Sequence, residues 1–250
     1  MKGSRTRSRL VPAENFYVSL NDMLVGILFL FILMLMFSAN DWRTKAKALD
    51  DSKKAVERIY KERVDRRSAL IRNLTTELGA NAPNSVPEDG ILRLDESLLF
   101  ERGKAELKPE GKRVLQRLSR ELERQLPCYV SRAEGCAPIL EAIYVEGHTD
   151  EKPDPTRVNG NWDLSSERAI AVYNVITANG KNSLATMQNA RAGIGANGDG
   201  TGRRENLVGV SAYAATRLID ENVDDPNRRV DFRFILAAPT AAEIGRETGQ

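Results

Sequence analysis

One carboxylate, Asp22, lies within the most apolar stretch of the chain. The residues that follow it, 23–37, carry no charged side chain, and the apolar character extends back to Phe16. In a helix, Asp22 would lie about 9 Å inside this stretch. An ionised carboxylate at that depth in a bilayer is unfavourable, so it usually faces a protein partner or a wet cavity. A carboxylate in such a place can carry a proton or a sodium ion.

Ser19 lies three residues before Asp22, on the same face of a helix, where its hydroxyl could help to hold the ion. We therefore predict that Asp22 and Ser19 form an ion-translocating pair. A second interpretation stays open, in which the membrane begins nearer Met23 and Asp22 merely lies among the lipid headgroups.

Elsewhere the sequence offers little for catalysis or metal binding. His148 is the only histidine, which excludes a histidine cluster around a metal, and no motif marks a serine or cysteine as a nucleophile. We expect no enzymatic activity, no metal and no cofactor. The near balance of 37 basic and 35 acidic residues gives no reason to expect nucleic acid as a partner.

The two cysteines, Cys128 and Cys136, do not match a zinc-binding spacing. If this part of the chain is exported, we expect one disulfide that closes a short loop. Two buried free thiols are the alternative.

The stretch around Asp22 is predicted to be a transmembrane helix over residues 16–38. It would extend roughly 34 Å, enough to cross a bilayer core of about 30 Å. No small-residue cleavage site follows it, so we interpret it as an uncleaved anchor. The basic tail, residues 1–15, favours a cytoplasmic N-terminus, although nearly as many basic residues follow the span.

Residues 39–80 are predicted to form a helical stalk that ends in a linker. Residues 41–78 contain no Pro or Gly and are rich in good helix formers. Leu49, Val56 and Leu70 fall on one heptad seam, but Arg63 interrupts it. A parallel coiled coil in a dimer and a solvated single helix both remain open.

Residues 81–237 are predicted to form one α+β domain, followed by a C-terminal tail, residues 238–250. Alternation and amphipathic periodicity give the order β-α-β-α-β-β, which implies a single mixed sheet. The predicted strands are residues 91–94, 139–145, 207–213 and 230–236, and the predicted helices are residues 109–126 and 164–178.

Four segments of this domain, taken in order, resemble the OmpA C-terminal family, which includes outer-membrane anchors, Pal lipoproteins and the flagellar stator subunit MotB. They read FERGKAELKPEG from Phe100, VEGHTD from Val145, NWDLSSERA from Asn161 and NRRVD from Asn227. The resemblance covers roughly residues 91–236. It implies a βαβαββ domain that binds peptidoglycan.

The resemblance also implies a binding pocket for the peptide stem of peptidoglycan. A carboxylate matching Asp150 would bind the ammonium group of diaminopimelate, and a guanidinium matching Arg168 would bind its carboxylate. A partly buried ion pair between Asp150 and Arg168 is the alternative. The other pocket residues implied by the family are Phe100, Gly103, Thr149, Asn161, Leu164 and Arg228, whereas His148 would structure the loop.

Two features depart from the family pattern. The usual Gly-Tyr-Gly after the third strand is Ala212-Tyr213-Ala214, and the Gly- and Asn-rich excursion of residues 193–202 is longer than the family needs. Neither departure touches the matched pocket residues.

The layout of an acid-bearing span, a stalk and an OmpA-like domain resembles that of MotB. It implies a single-pass protein of the bacterial inner membrane with a periplasmic C-terminal domain, acting as a wall-anchored stator in an ion-driven motor. Its expected partners are MotA-like multi-span subunits, a second copy of itself and peptidoglycan. The short chain and the sequence Asn21-Asp22-Met23 favour the MotB-like subunits of Zorya anti-phage defence (ZorB, paired with ZorA). A flagellar MotB-type stator and a passive tether to the wall are the alternatives.

Overall fold

A computed structural model describes residues 13–82, 84–131, 136, 138–178, 184–189 and 205–249 of the chain, with side chains at Tyr17 and from Leu20 onward. The predicted excursion of residues 193–202 and the Ser19 side chain lie outside the described part. Two compact units are present, Met1–Val56 with Ala241–Gln250, and Glu57–Thr240.

The first element is α1 (Ala13–Leu78), a single helix of 66 residues. Its N-terminal part is long and apolar enough to cross a membrane, by length and composition. The apolar side chains there are exposed, as Met34 and Phe37 illustrate. The predicted span and most of the predicted stalk are therefore turns of one continuous helix.

The last turns of α1 pack into the core of the second unit. Leu70 and Leu74 are fully buried in its hydrophobic cluster, and the Arg63 guanidinium donates to the carbonyl of Ala237 at 2.5 Å. Of the predicted heptad seam, Leu70 thus lies in the core, whereas Leu49 remains exposed. The second unit thus includes the part of α1 from Glu57 onward.

The second unit is built on a four-stranded mixed sheet, and the predicted element order and fold class are confirmed. The strand order is β1-β4-β2-β3, with β4 antiparallel to both β1 and β2, and β3 parallel to β2. The strands are β1 (Ile91–Asp95), β2 (Leu140–His148), β3 (Val208–Ala212) and β4 (Arg229–Leu236).

Two long helices match the amphipathic segments of the sequence, and three short helices were not predicted. The long helices are α3 (Pro109–Gln125) and α5 (Asn161–Thr177). The short ones are α2 (Glu96–Leu99), α4 (Pro127–Val130) and α6 (Ala241–Thr248). A helix of four residues spans barely one turn, too short to show helical periodicity.

The core lies between α3, α5 and one face of the sheet. The apolar stripe of α3, including Leu115 and Leu118, is fully buried with Phe232 and Phe234 of β4. Because side chains alternate across a strand, the neighbours of Phe232, which are the charged Asp231 and Arg233, face the other way. The sheet therefore has one apolar face and one polar face.

The helix α5 approaches β2 most closely at Gly147. A Cβ atom added there would lie 2.1 Å from the carbonyl oxygen of Ser165. The Ser119 hydroxyl then ties α3 to α5 by donating to the carbonyl of Ile176 at 2.7 Å. The first turns of α5 therefore pack against the end of β2, and the last turn of α5 is tied to α3.

The structure joins Cys128 and Cys136 in a disulfide, with their Cα atoms 4.7 Å apart. The bond links α4 to the segment that leads into β2. Its position at the end of α3 and α4 places it away from the residues predicted to bind a ligand.

We predict that Gly147→Ala destabilises the domain by about 2 to 3 kcal/mol, because the new methyl group collides with backbone that α5 cannot withdraw easily. Urea unfolding would measure the change. Gly209→Ala is the matched control, since its Cβ would meet only the ring of the half-exposed Tyr144, at 2.9 Å. Equal stability of Gly147→Ala and the unchanged protein would contradict the close approach.

Candidate functional site

The predicted binding residues lie near one end of the sheet, where β1 and β2 finish and β4 begins. Because β4 runs antiparallel between β1 and β2, its first residue, Arg229, pairs with the last residues of both strands, Asp95 and His148. Arg228 precedes that residue, and Asp150 follows β2 by two positions. The sheet order thus brings together segments that are far apart in the sequence.

The Arg168 guanidinium is buried in this cluster. It forms an ion pair with Glu96 of α2, and its Nε donates to the carbonyl of Lys104 at 2.9 Å. Its Cζ lies 5.3 Å from the centre of the Phe100 ring. Burial lowers the pKa of Arg168, against the opposing effect of the Glu96 carboxylate. Only 2% of the Arg168 side chain is exposed, so solvent hardly reaches it.

Arg228 is the second guanidinium of the cluster, and three carboxylates surround it. Its Nε lies 2.9 Å from Glu96 Oε2 and its Nη1 donates to Asp150 Oδ2 at 2.8 Å. Its Nη2 pairs with Asp225. Burial alone would lower the pKa of Arg228, but the hydrogen bond to Asp150 and the charge of Glu96 outweigh it, and the pKa is raised.

Asp150 and Arg168 are therefore joined indirectly, in the order Asp150, Arg228, Glu96, Arg168. The carboxylate that connects the two guanidiniums, Glu96, was missed by the sequence analysis. The only sign of this residue in the sequence was an acid four positions before Phe100, shortly after a predicted strand.

Asn161 shapes the loop that leads from β2 to α5. Its Nδ2 donates to the carbonyls of Asp150 at 3.0 Å and Lys152 at 2.9 Å. The backbone N–H of Lys152 in turn donates to Asp150 Oδ1 at 3.2 Å. Asn161 therefore fixes the position of the Asp150 carboxylate from the first residue of α5.

Asn227 does the same for the loop before β4 and was not predicted as a site residue. Its Oδ1 accepts from the N–H of Ile219 at 2.7 Å, and its Nδ2 donates to the carbonyl of Val223 at 3.0 Å. The side chain is buried. It sets the path of the chain immediately before Arg228.

The other predicted pocket residues, Thr149, Gly103 and Leu164, differ in exposure. Thr149 is buried, and its Oγ1 has no hydrogen-bond partner among the residues that the structure describes. Gly103 has a φ of 72°, which favours glycine, and its carbonyl accepts from Arg157 Nη1 at 3.2 Å. Leu164 is buried on the first turn of α5.

The turn at the end of β3 contains Ala212-Tyr213-Ala214, which replaces the usual Gly-Tyr-Gly of the family. Ala214 adopts a φ of 47°, a left-handed conformation that an alanine rarely takes. Its carbonyl accepts from the N–H of Thr149 at 2.9 Å, and its own N–H donates to Ser165 Oγ at 3.2 Å. These bonds hold the turn against the end of β2.

A second cluster of buried charges lies on the polar face of the sheet. Glu146 and Asp231 face each other across β2 and β4. Arg93 pairs with Asp231 at 2.8 Å, and Arg233 pairs with Glu146 at 2.9 Å. Burial alone would raise the pKa of Asp231, but the hydrogen bond from Arg93 and the nearby guanidiniums lower it.

His148 belongs to this second cluster. Its Nε2 lies 3.9 Å from Glu146 Oε2 and 3.8 Å from Asp231 Oδ2, and its ring stacks on Tyr213 with centroids 5.4 Å apart. Burial, aided by the charge of Arg229, lowers the pKa of His148 despite the two carboxylates. The neutral imidazole is thus the form that the fold favours.

The OmpA family profile matches residues 99–229, which is more than half of the chain. The chain belongs to the OmpA family. All eight residues that the resemblance implied for the pocket lie inside the matched segment. A comparison with curated proteins finds none that matches.

Among solved structures, this OmpA-family chain is similar to three cell-envelope proteins at low identity. The periplasmic domain of MotB is 23% identical, with a TM-score of 0.43, covering 62% of this chain and 68% of that one. A MotB-like protein from Desulfovibrio vulgaris is 19% identical, with a TM-score of 0.49, covering 72% and 99%. The cell wall anchor of the type VI secretion system from Pseudomonas aeruginosa is 19% identical, with a TM-score of 0.38, covering 59% and 81%.

His148 makes the stability of the domain sensitive to mild acid. Because its pKa is lowered in the folded protein from an ordinary value of 6.5, the unfolded chain binds the proton first as the pH falls. We predict that the free energy of unfolding is constant above this value and falls below it, by at most about 1.4 kcal/mol per pH unit. The loss ends once the pH passes the folded-state pKa.

Urea unfolding on both sides of the histidine pKa tests this, with His148→Gln as the variant that should lose the dependence. Asp231 does not interfere with this test. Its pKa is lowered, so its protonation affects stability only below about pH 3.8, a more acidic range than that of His148. An unchanged slope in His148→Gln would assign the effect to another group.

Proposed function

We propose that this chain is the wall-anchored stator subunit of an ion-driven motor in the bacterial inner membrane. One observation carries the proposal, namely that a single chain combines an apolar helix bearing Asp22 with an OmpA-family domain. The first part would meet the ion pathway, and the second would bind the cell wall. Neither part alone would make a stator.

The wall-binding step is proposed to occur at the cluster around Arg228. Family membership supports the peptide stem of peptidoglycan as the ligand, and Asp150 supplies a carboxylate for an ammonium group. Phe100 and Leu164 supply apolar walls. The unpartnered hydroxyl of Thr149 is a further group that a bound ligand could satisfy.

The ion-carrying step is proposed to occur at Asp22. Its side chain is exposed on α1, which is unfavourable for a carboxylate facing lipid. A MotA-like multi-span subunit would remove that cost by offering a polar or wet surface. Loading and releasing a proton or sodium ion would then change how strongly Asp22 prefers one position on that partner, while the wall-bound domain keeps this subunit from turning.

The proposed orientation has the N-terminus in the cytoplasm and the OmpA-family domain in the periplasm, where the disulfide would form and persist. A pair of these chains would share one ring of MotA-like partners. Within this class we propose the ZorB role of Zorya defence, with ZorA as the partner. The sequence Asn21-Asp22-Met23 supports that assignment over a flagellar stator.

We predict that the detergent-solubilised full chain sediments with purified peptidoglycan sacculi, and that Asp150→Asn weakens this binding roughly tenfold, because the variant lacks the charge that attracts an ammonium group. Sedimentation at several sacculus concentrations gives the affinity. Glu121→Gln is the control, since it removes a carboxylate from the same domain that pairs only with neighbours on α3. Failure of the unchanged protein to sediment would refute wall binding.

We predict that Asp22→Asn abolishes the ion-driven activity of the complex while leaving its assembly intact, because the amide cannot take up and release an ion. Co-purification with a MotA-like multi-span protein from the same organism measures assembly, and protection against phage or motility of the host measures activity. The control is Asp41→Asn. Asp41 follows the predicted span, and its carboxylate pairs with Lys45. Full activity of Asp22→Asn would instead favour a passive tether.

A further inference from the structure

The cluster at the end of the sheet contains one carboxylate, Glu96, that contacts both guanidiniums. It pairs with Arg168 through Oε1 and with Arg228 through Oε2, the latter at 2.9 Å. The backbone N–H of Glu96 also donates to the carbonyl of Arg228 at 3.0 Å. Only 6% of the Glu96 side chain is exposed. Glu96 thus already pairs with the guanidinium to which the family resemblance assigns a ligand carboxylate.

The charges of this cluster do not cancel. Two guanidiniums, Arg168 and Arg228, contact three carboxylates, Glu96, Asp150 and Asp225. With every group ionised, the cluster carries one net negative charge. Such a site attracts a cation and resists a second anion.

Two of the exposed cations at the rim each have their own carboxylate. Lys104 pairs with Glu101, and Lys152 pairs with Asp224. A ligand carboxylate approaching from solvent would therefore have to compete with an acid already in place at each of these cations.

Displacing Glu96 from Arg168 would be more difficult still. Both side chains are buried, so a ligand carboxylate that took over Arg168 would leave Glu96 with one guanidinium fewer in a place that water hardly reaches. Asp150 also has a partner, Arg228, but a carboxylate oxygen can accept a second hydrogen bond, so an ammonium group could bind without displacing that guanidinium, and it would bring the cluster to neutrality.

We propose that Glu96 sets the charge selectivity of the site, so that the peptide stem is recognised by its free ammonium group and gains little from the carboxylate beside it. The proposal rests on the wall-binding function proposed above. It changes the role given to Arg168, which becomes a positioning residue that holds Glu96 and Phe100, with Arg228 and Asp150 nearest the ligand.

Competition against sacculus binding tests this with the full chain in detergent. The probes are three soluble stem tripeptides ending in diaminopimelate, namely the unmodified peptide, one amidated at the carboxylate next to the free amine, and one acetylated on that amine. For the unchanged protein we expect amidation to alter the competing concentration by less than about threefold, and acetylation to raise it more than about tenfold.

Glu96→Gln keeps the shape of the side chain but removes its charge. In this variant we expect the unmodified peptide to compete about five- to tenfold better than the amidated one, because Arg168 and Arg228 gain a free positive charge. Glu146→Gln is the matched control, because it neutralises a buried carboxylate that pairs with Arg233 in the other cluster. It should show the selectivity of the unchanged protein.

The outcomes separate the two proposals. If the unchanged protein fails to bind sacculi, the wall-binding function is wrong. If it binds sacculi and the unmodified peptide competes, but amidation raises the competing concentration more than about threefold, only the role of Glu96 is wrong. If no amine-bearing peptide competes, the proposed stem ligand is wrong as well. That measurement needs no variant, so it decides the matter even if Glu96→Gln does not fold. A folded Glu96→Gln with unchanged selectivity would also overturn the proposal.

Discussion

Two guanidiniums, the buried Arg168 and the partly buried Arg228, must be neutralised at the end of the sheet, and this requirement shapes the candidate site. Acids from α2, from the end of β2 and from the loop before β4 meet there, because β4 lies antiparallel between the other two strands. Removing one partner of such a buried network leaves a charge without compensation, which is far less favourable than losing a surface pair. The ion pairs therefore define both the shape of the pocket and its charge.

The two faces of the sheet solve the problem of burial in different ways. Phe232 and Phe234 of β4 remove apolar area from water against α3 and α5, whereas Asp231 and Arg233, which alternate with them, form ion pairs with neighbouring strands. The second solution leaves His148 buried next to two carboxylates without a direct hydrogen bond to either. Its titration is thus a consequence of a sheet whose polar face is closed by its own side chains.

Much of the fold could be predicted from the sequence, because hydrophobic periodicity specifies long elements. The stripe of α3 and the buried strand β4 are examples. The site could be predicted only where a motif marked it, as at Asp150. Glu96 and Arg168 are 72 positions apart, and nothing local in the sequence indicates that they pair. The packing of the last turns of α1 could not be predicted for a related reason, because the bond from Arg63 to the carbonyl of Ala237 joins residues far apart in the sequence.

The contrast between Asp22 and the buried acids of the domain bears on what the chain needs from outside. Glu96, Glu146 and Asp231 all have guanidinium partners supplied by the same chain. None of the side chains that the structure describes bonds to Asp22, which lies on an apolar helix. Within a bilayer, the free energy that internal ion pairs supply elsewhere in the molecule would have to come from another subunit or from a bound ion. The domain therefore satisfies its own charges, whereas the apolar helix, if it spans a membrane, would need a partner at Asp22.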